Sequence, residues 1–394
     1  MPNLWQFLSI FLVFSSVYAN DCTIRLPEDV QQKTPIILTN TGLFRPTSTN
    51  TTIEENGKIT LLCTGRNNKV LALNQNMVTL VCRNGNFRYM GRKHALQDMK
   101  CDSVPTSQLW QRGTTRICAA GKGVFYEVGF SLGGNRHIIL KICFNQDKQR
   151  TIYSRNLING FVRNDRAKTE CRPSFFKSEG VEGNLNDLYK KSTQQTRFKA
   201  LFGANQNFIG ETSFLARGHI APVADFIFCY EQYATFYYAN AAPEWQVVNA
   251  GNWKRVENAV RKIAFSQRSD LLVFTGTLGV LELRNPLTSL KTSIYLGENQ
   301  KIAVPKWFYK VVMHPRFAID IVFITLNNPF DDEKEEFCNN ICSQICNEHK
   351  LECSEFTDTN KGYTFCCELK DFWANAMGVG TPYYELPVGW SYKN

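Results

Sequence analysis

Phe214-Leu215-Ala216-Arg217-Gly218-His219-Ile220-Ala221-Pro222 decides the reading of this chain, and Val223-Ala224-Asp225-Phe226 continues it. A second block, Asn240-Ala241-Ala242-Pro243-Glu244-Trp245-Gln246-Val247-Val248-Asn249, begins 240 − 219 = 21 residues after His219. Ala250-Gly251-Asn252-Trp253-Lys254-Arg255-Val256-Glu257 follows at once. The pattern predicts a strand ending in Arg-Gly-His, a second strand, a loop with two asparagines, and a helix. An imidazole near its natural pKa is a general base at neutral pH. Asn and Glu offer hard oxygen ligands of the kind Mg²⁺ takes. Asn249, Trp253 and Glu257 recur every four residues, so a helix starting near Asn249 would place them on one face. A base, a cation site and a guanidinium are the parts needed for phosphodiester hydrolysis. Taken singly, each is ordinary: a lone histidine is usually structural and an Asn-rich loop is usually a turn. Their order is what carries the reading.

That order resembles the DNA/RNA non-specific endonuclease family, whose core is the ββα-metal motif. The shared pattern is RGH-x-A-P-x-x-D-F, then N-x-x-P-x-W-Q-x-x-N-x-G-N-W-x-x-x-E. Thr275-Gly276-Thr277-Leu278-Gly279-Val280 resembles the family's TG strand, and Val304-Pro305-Lys306-Trp307-Phe308-Tyr309-Lys310-Val311 its VPK strand. The likeness is good over roughly residues 151–322 and poor at the ends. With its cysteine load and N-terminal extension, the chain looks most like the secreted gut and salivary nucleases of arthropods. Among these it is similar to the nuclease-like, nucleic-acid-binding salivary proteins of tsetse flies.

The resemblance implies that His219 is the general base that activates water. It implies that Asn249 is the protein ligand of one Mg²⁺, or of another divalent cation such as Mn²⁺. Glu257 and Asn240 would order the cation's waters or the loop, and Arg217 would stabilise charge on the phosphate. The family has a second arginine upstream, for which Arg197 is the candidate. The partners would be DNA and RNA, cut with little regard to sequence to leave 5′-phosphate ends. Two positions depart from the pattern. The best-known form reads Asp-Arg-Gly-His where this chain has Ala216, and the arthropod pattern has Gln where it has Glu244. An impaired site is therefore the alternative implication: a nucleic-acid scavenger that keeps the fold for binding.

Around the motif, Lys190, Lys191, Arg197, Lys199, Lys254, Arg255, Arg261, Lys262 and Arg268 read as a basic surface. Lys254, Arg255, Arg261 and Lys262 are the candidate nucleic-acid contacts, since phosphate contacts give sequence-independent, salt-sensitive affinity. The chain has 394 residues with 45 Lys+Arg against 35 Asp+Glu, a formal net charge of +10. Its 43% hydrophobic content excludes a largely disordered or collagen-like protein.

Residues 1–19 read as a secretory signal: an apolar run from Leu8 to Phe14, then Val17-Tyr18-Ala19 before the cleavage point. The run is too short to span a bilayer, and no later stretch is longer, so no membrane partner is expected. An oxidising destination makes disulfides the natural use of 14 cysteines, enough for seven bridges. Cys338, Cys342 and Cys346, spaced by four, read as one face of a helix stapled by disulfides. Asp331–Glu336 reads as that helix's solvated start.

The predicted fold class is α+β. A ββα-metal nuclease domain, 146–394, holds a central antiparallel sheet flanked by helices and ends in a Cys-rich part, 331–394. A small disulfide-stapled β-rich domain, 20–145, precedes it. Phe226–Phe228 and Thr235–Tyr238 read as strands, Gly183–Ala200 and Asn252–Ala264 as helices.

Overall fold

Strands Leu271–Leu278, Trp307–Met313 and Asp320–Leu326 are almost wholly buried, because both faces of the sheet they form are covered. The structure, a computed structural model, describes residues 20–112, 117–119, 122–162, 171–177, 180–286, 288–314, 320–332 and 334–376. The expected signal at 1–19 and the last part of the Cys-rich end lie outside the described residues.

The central sheet has nine strands. In spatial order they run Ile117–Cys118, Gly123–Leu132, Asn135–Asn145, Arg150–Ile158, Leu271–Leu278, Trp307–Met313, Asp320–Leu326 and Thr364–Glu368. Gln108–Gln111 pairs beside the second of these. Every pairing is antiparallel. One face packs under the ribbon and helix that carry the motif, with Val273, Phe308, Val312 and Phe323 meeting Trp253, Val256 and Val260. The other is covered by the chain's later segments, with Phe337 against Trp307 and Phe365, and Phe372 against Tyr309.

A separate six-stranded sheet runs from Ile36 to Lys93. Its core contains Phe130, Phe228 and Tyr230 from the larger unit, so the two share apolar contacts. Residues 108–145 were expected in this first unit, but they pair into the nine-stranded sheet instead. The hydrogen-bonding partner changes between Cys101 and Gln108, well before residue 145. Periodicity reports a strand, not the sheet it joins.

Seven disulfides use all fourteen cysteines, which excludes free thiolates for zinc. The helix expected over Cys338, Cys342 and Cys346 spans only Cys342–Glu348, and the described part of 331–336 is not helical. Three bridges, Cys338–Cys367, Cys342–Cys366 and Cys346–Cys353, tie this region to the last strand and to itself.

Candidate active site

Leu215–His219 and Ala241–Trp245 form a two-stranded antiparallel ribbon. His219 stands opposite Ala241, Gly218 opposite Ala242, Arg217 opposite Pro243 and Ala216 opposite Glu244. The second strand is therefore Ala241–Trp245, not Thr235–Tyr238, where aromatic content suggested one. Residues 229–234 form a helix, and Tyr238–Asn240 a single 3₁₀ turn. Asn240 fixes this connection. Its amide oxygen accepts from the Ala221 N–H at 3.0 Å, and its nitrogen donates to the Ala221 and Thr235 carbonyls at 2.9 Å each. Fully buried, with both amide protons and one oxygen lone pair spent on the backbone, Asn240 orders the loop.

Strand alternation puts Arg217 and His219 on one face of the ribbon, and Ala216, Gly218 and Glu244 on the other. On the first face, His219 sits between Phe175 and Phe236, at centroid distances of 5.0 and 4.8 Å. Its Nε2 is buried with no hydrogen-bond partner among the described residues. Burial, then the charge of Arg172, lowers its pKa to about 3, so the imidazole is neutral at physiological pH. The Arg217 guanidinium lies 4.9 Å from the Tyr189 ring and 5.8 Å from those of Tyr238 and Phe175. It donates to the Tyr238 hydroxyl at 3.1 Å, and no carboxylate pairs with it among the described residues. The Cys171–Cys229 disulfide anchors the Arg172–Phe175 segment. Phe176 continues it by backbone hydrogen bonds to Phe236 and Tyr238.

The opposite face is dry and acidic. Glu244 is fully buried, and neither carboxyl oxygen finds a partner among the described residues. Burial first, then the nearby Glu257, raises its pKa well above the usual carboxylate range, while Lys310 acts the other way. Lys310 is also fully buried; it donates to the Thr275 hydroxyl at 2.6 Å, joining the VPK strand to the TG strand.

Asn249 ends a one-turn helix, Gln246–Asn249, and the long helix begins afresh at Asn252 and runs to Gln267. The expected continuous face of Asn249, Trp253 and Glu257 is broken at Gly251. There a Cβ would strike the carbonyls of Val247 and Lys361, so only glycine fits. Trp253 is buried in the core, while Glu257 is half-buried in the second turn. Asn249 is half-exposed, and no hydrogen bond engages its amide among the described residues. The described residues hold no group of three or more His, Cys, Asp or Glu suited to a metal. The Asn249 amide oxygen is a sparse, hard donor, which fits a cation that keeps most of its water, as Mg²⁺ does.

Residues 121–372 match the sequence profile of the DNA/RNA non-specific endonucleases. The chain belongs to that family. It is 35% identical over 367 residues to a salivary endonuclease of Lutzomyia longipalpis, covering 91% of this chain and 84% of that protein. It is 32% identical over 385 residues to salivary protein Tsal1 of Glossina morsitans morsitans, covering 93% and 94%. Salivary protein Tsal2A of the same fly is 30% identical over 381 residues, covering 94% and 95%.

Against this endonuclease fold the remaining candidates separate. Arg197 does not join His219: its guanidinium bonds the Tyr295 and Gly297 carbonyls and pairs with Glu298 at 2.7 Å. The arginine whose charge reaches His219 is Arg172, which was missed. Its sequence signal was slight, an arginine directly after a cysteine. Arg261 is 3% exposed and pairs with buried Asp225 at 2.9 Å, which removes it from any nucleic-acid surface. Arg255 lies 3.7 Å from Glu355, and Lys262 is exposed but donates to the Lys350 carbonyl. Lys254 is exposed and enters no ion pair among the described residues. No described helix is long and apolar enough to cross a membrane.

Proposed function

We propose that this chain is a secreted, divalent-metal-dependent endonuclease that hydrolyses DNA and RNA with little regard to sequence. The observation that carries the reading is the buried, unpartnered Nε2 of a neutral His219 beside Arg172 and Arg217. His219 Nε2 accepts the proton of a water whose oxygen bonds to phosphorus. The phosphorus–O3′ bond breaks, leaving a 5′-phosphate, and the departing oxygen takes a proton from solvent. An imidazole held low in an apolar box is a weak base, but an anionic phosphodiester beside it favours the imidazolium and strengthens it. Arg217 and Arg172 neutralise the phosphate, and the aromatic walls keep Arg217 oriented. Asn249 would hold the cation, which supplies charge neutralisation at the phosphate and leaving oxygen. Salivary relatives and a full set of disulfides support secretion.

A second reading, nucleic-acid capture with little turnover, is favoured by Ala216. One experiment separates the two. Duplex DNA, single-stranded DNA and duplex RNA are incubated with wild type and with Asn249→Ala, with Mg²⁺ and with chelator. The enzymatic reading expects cleavage by wild type that chelator abolishes and Asn249→Ala cuts by about a hundredfold. Tight binding without chelator-sensitive cleavage leaves only capture.

A further inference from the structure

Ala216 and Glu244 stand directly opposite each other across the ribbon, with their side chains on the same face. Opposed residues of an antiparallel pair have Cβ atoms about 4.5–5.5 Å apart, so an acid at either position reaches the same space. Glu244 takes the buried, Gly218 side of that space, beside a half-buried Ala216. Its carboxyl lies against Gly218, where any Cβ would collide with it, one residue from His219. Glu257 and Lys310 are its charged neighbours. Resting on the nuclease reading above, we infer that Glu244 supplies, from the second strand, the one buried carboxyl this end of the ribbon accommodates. Position 216 carries no acid because two carboxyls there would repel each other across one site. Glu244 is thus a positioning residue: with Lys310 it sets the charge around Glu257 and the backbone of Gly218 and His219. Ala216 is then a relocated acid and not a lost one.

The consequence is opposite to simple repair. Adding Asp at 216 puts another acid beside Glu244 and Glu257, where the buried Lys310 already faces both of them as well as Asp225 and the Arg261 cation. The test is a double-mutant cycle in the mature, disulfide-bonded chain: wild type, Ala216→Asp, Glu244→Gln, and Ala216→Asp/Glu244→Gln. Each is read by thermal midpoint with and without Mg²⁺, and by cleavage rate against Mg²⁺ concentration. Ala216→Asp should lower the midpoint and cut cleavage about tenfold, and Glu244→Gln should raise the Mg²⁺ needed for half-maximal rate about fivefold, sizes typical of coupled contacts. The double variant should return both readouts to within about threefold of wild type, or to its melting range. Ala216→Asn, neutral and similar in size, should lose less than Ala216→Asp and gain nothing from Glu244→Gln. Ala216→Asp as stable and active as wild type overturns the inference. So does a double variant no better than Ala216→Asp, an unfolded one included. If wild type itself cuts nothing, the proposed function fails, while the melting cycle still decides: additive shifts overturn the shared site, and rescue sustains it.

Discussion

The two faces of the Arg-Gly-His ribbon solve opposite problems with similar means. One holds a base, His219, deprotonated between aromatic rings, with arginines beside it. The other holds an acid, Glu244, away from water, with one buried lysine near. Burial shifts the two groups in opposite directions, His219 down and Glu244 up, and the charge of Arg172 and the guanidinium of Arg217 lie on the first side. On the proposed function the first face serves turnover, while the second holds shape.

That contrast makes substitutions on the two faces fail differently. Arg217→Ala should cut the cleavage rate by about 10²–10³ with only a modest drop in melting, since its loss removes phosphate stabilisation and, from the fold, its stacking on Tyr189 and its hydrogen bond to Tyr238. A parallel collapse of the fold would erase the distinction between the faces. On the dry side, Arg261→Met strands buried Asp225 and should cost about 3–5 kcal/mol in urea unfolding. The folded fraction should still bind DNA as wild type does. Weakened binding with intact stability would return Arg261 to the interface.

Acidity gives the smallest and most diagnostic difference. His219 is held below its unfolded value of about 6.5, so protonation favours the unfolded chain and stability falls as pH drops from about 6.5 toward 3. Glu244 is held above its unfolded value of about 4.3, so its contribution is full below that pH and is lost as pH rises. Glu244→Gln should therefore raise the melting midpoint at pH 8 by about 2–4 °C and leave it nearly unchanged at pH 4. A gain confined to low pH would reverse the assignment of the buried acid.

Much of this was legible in the residues. Arg217, His219, Asn249 and Glu257 announce themselves by type and order, and the strands 271–278 and 307–313 by unbroken apolar runs. What stayed hidden depends on the third dimension. Arg261 looks like a surface cation until Asp225 meets it in the core. Arg172 is brought to His219 by a disulfide whose partner, Cys229, no spacing reveals. Thr235–Tyr238 has strand-like composition because it walls the histidine, not because it pairs in a sheet. Gly251 breaks the helix at a point periodicity passes over. Ala216 and Glu244 look like two unrelated departures in sequence, and only the ribbon register shows them as partners.

Single-turnover cleavage of duplex DNA by wild type and His219→Ala, with binding measured alongside, tests the role of His219 most directly. Loss of about 10³-fold in rate at unchanged affinity is the predicted result, in keeping with removal of a general base. Equal rates for the two proteins, at equal affinity, would contradict it.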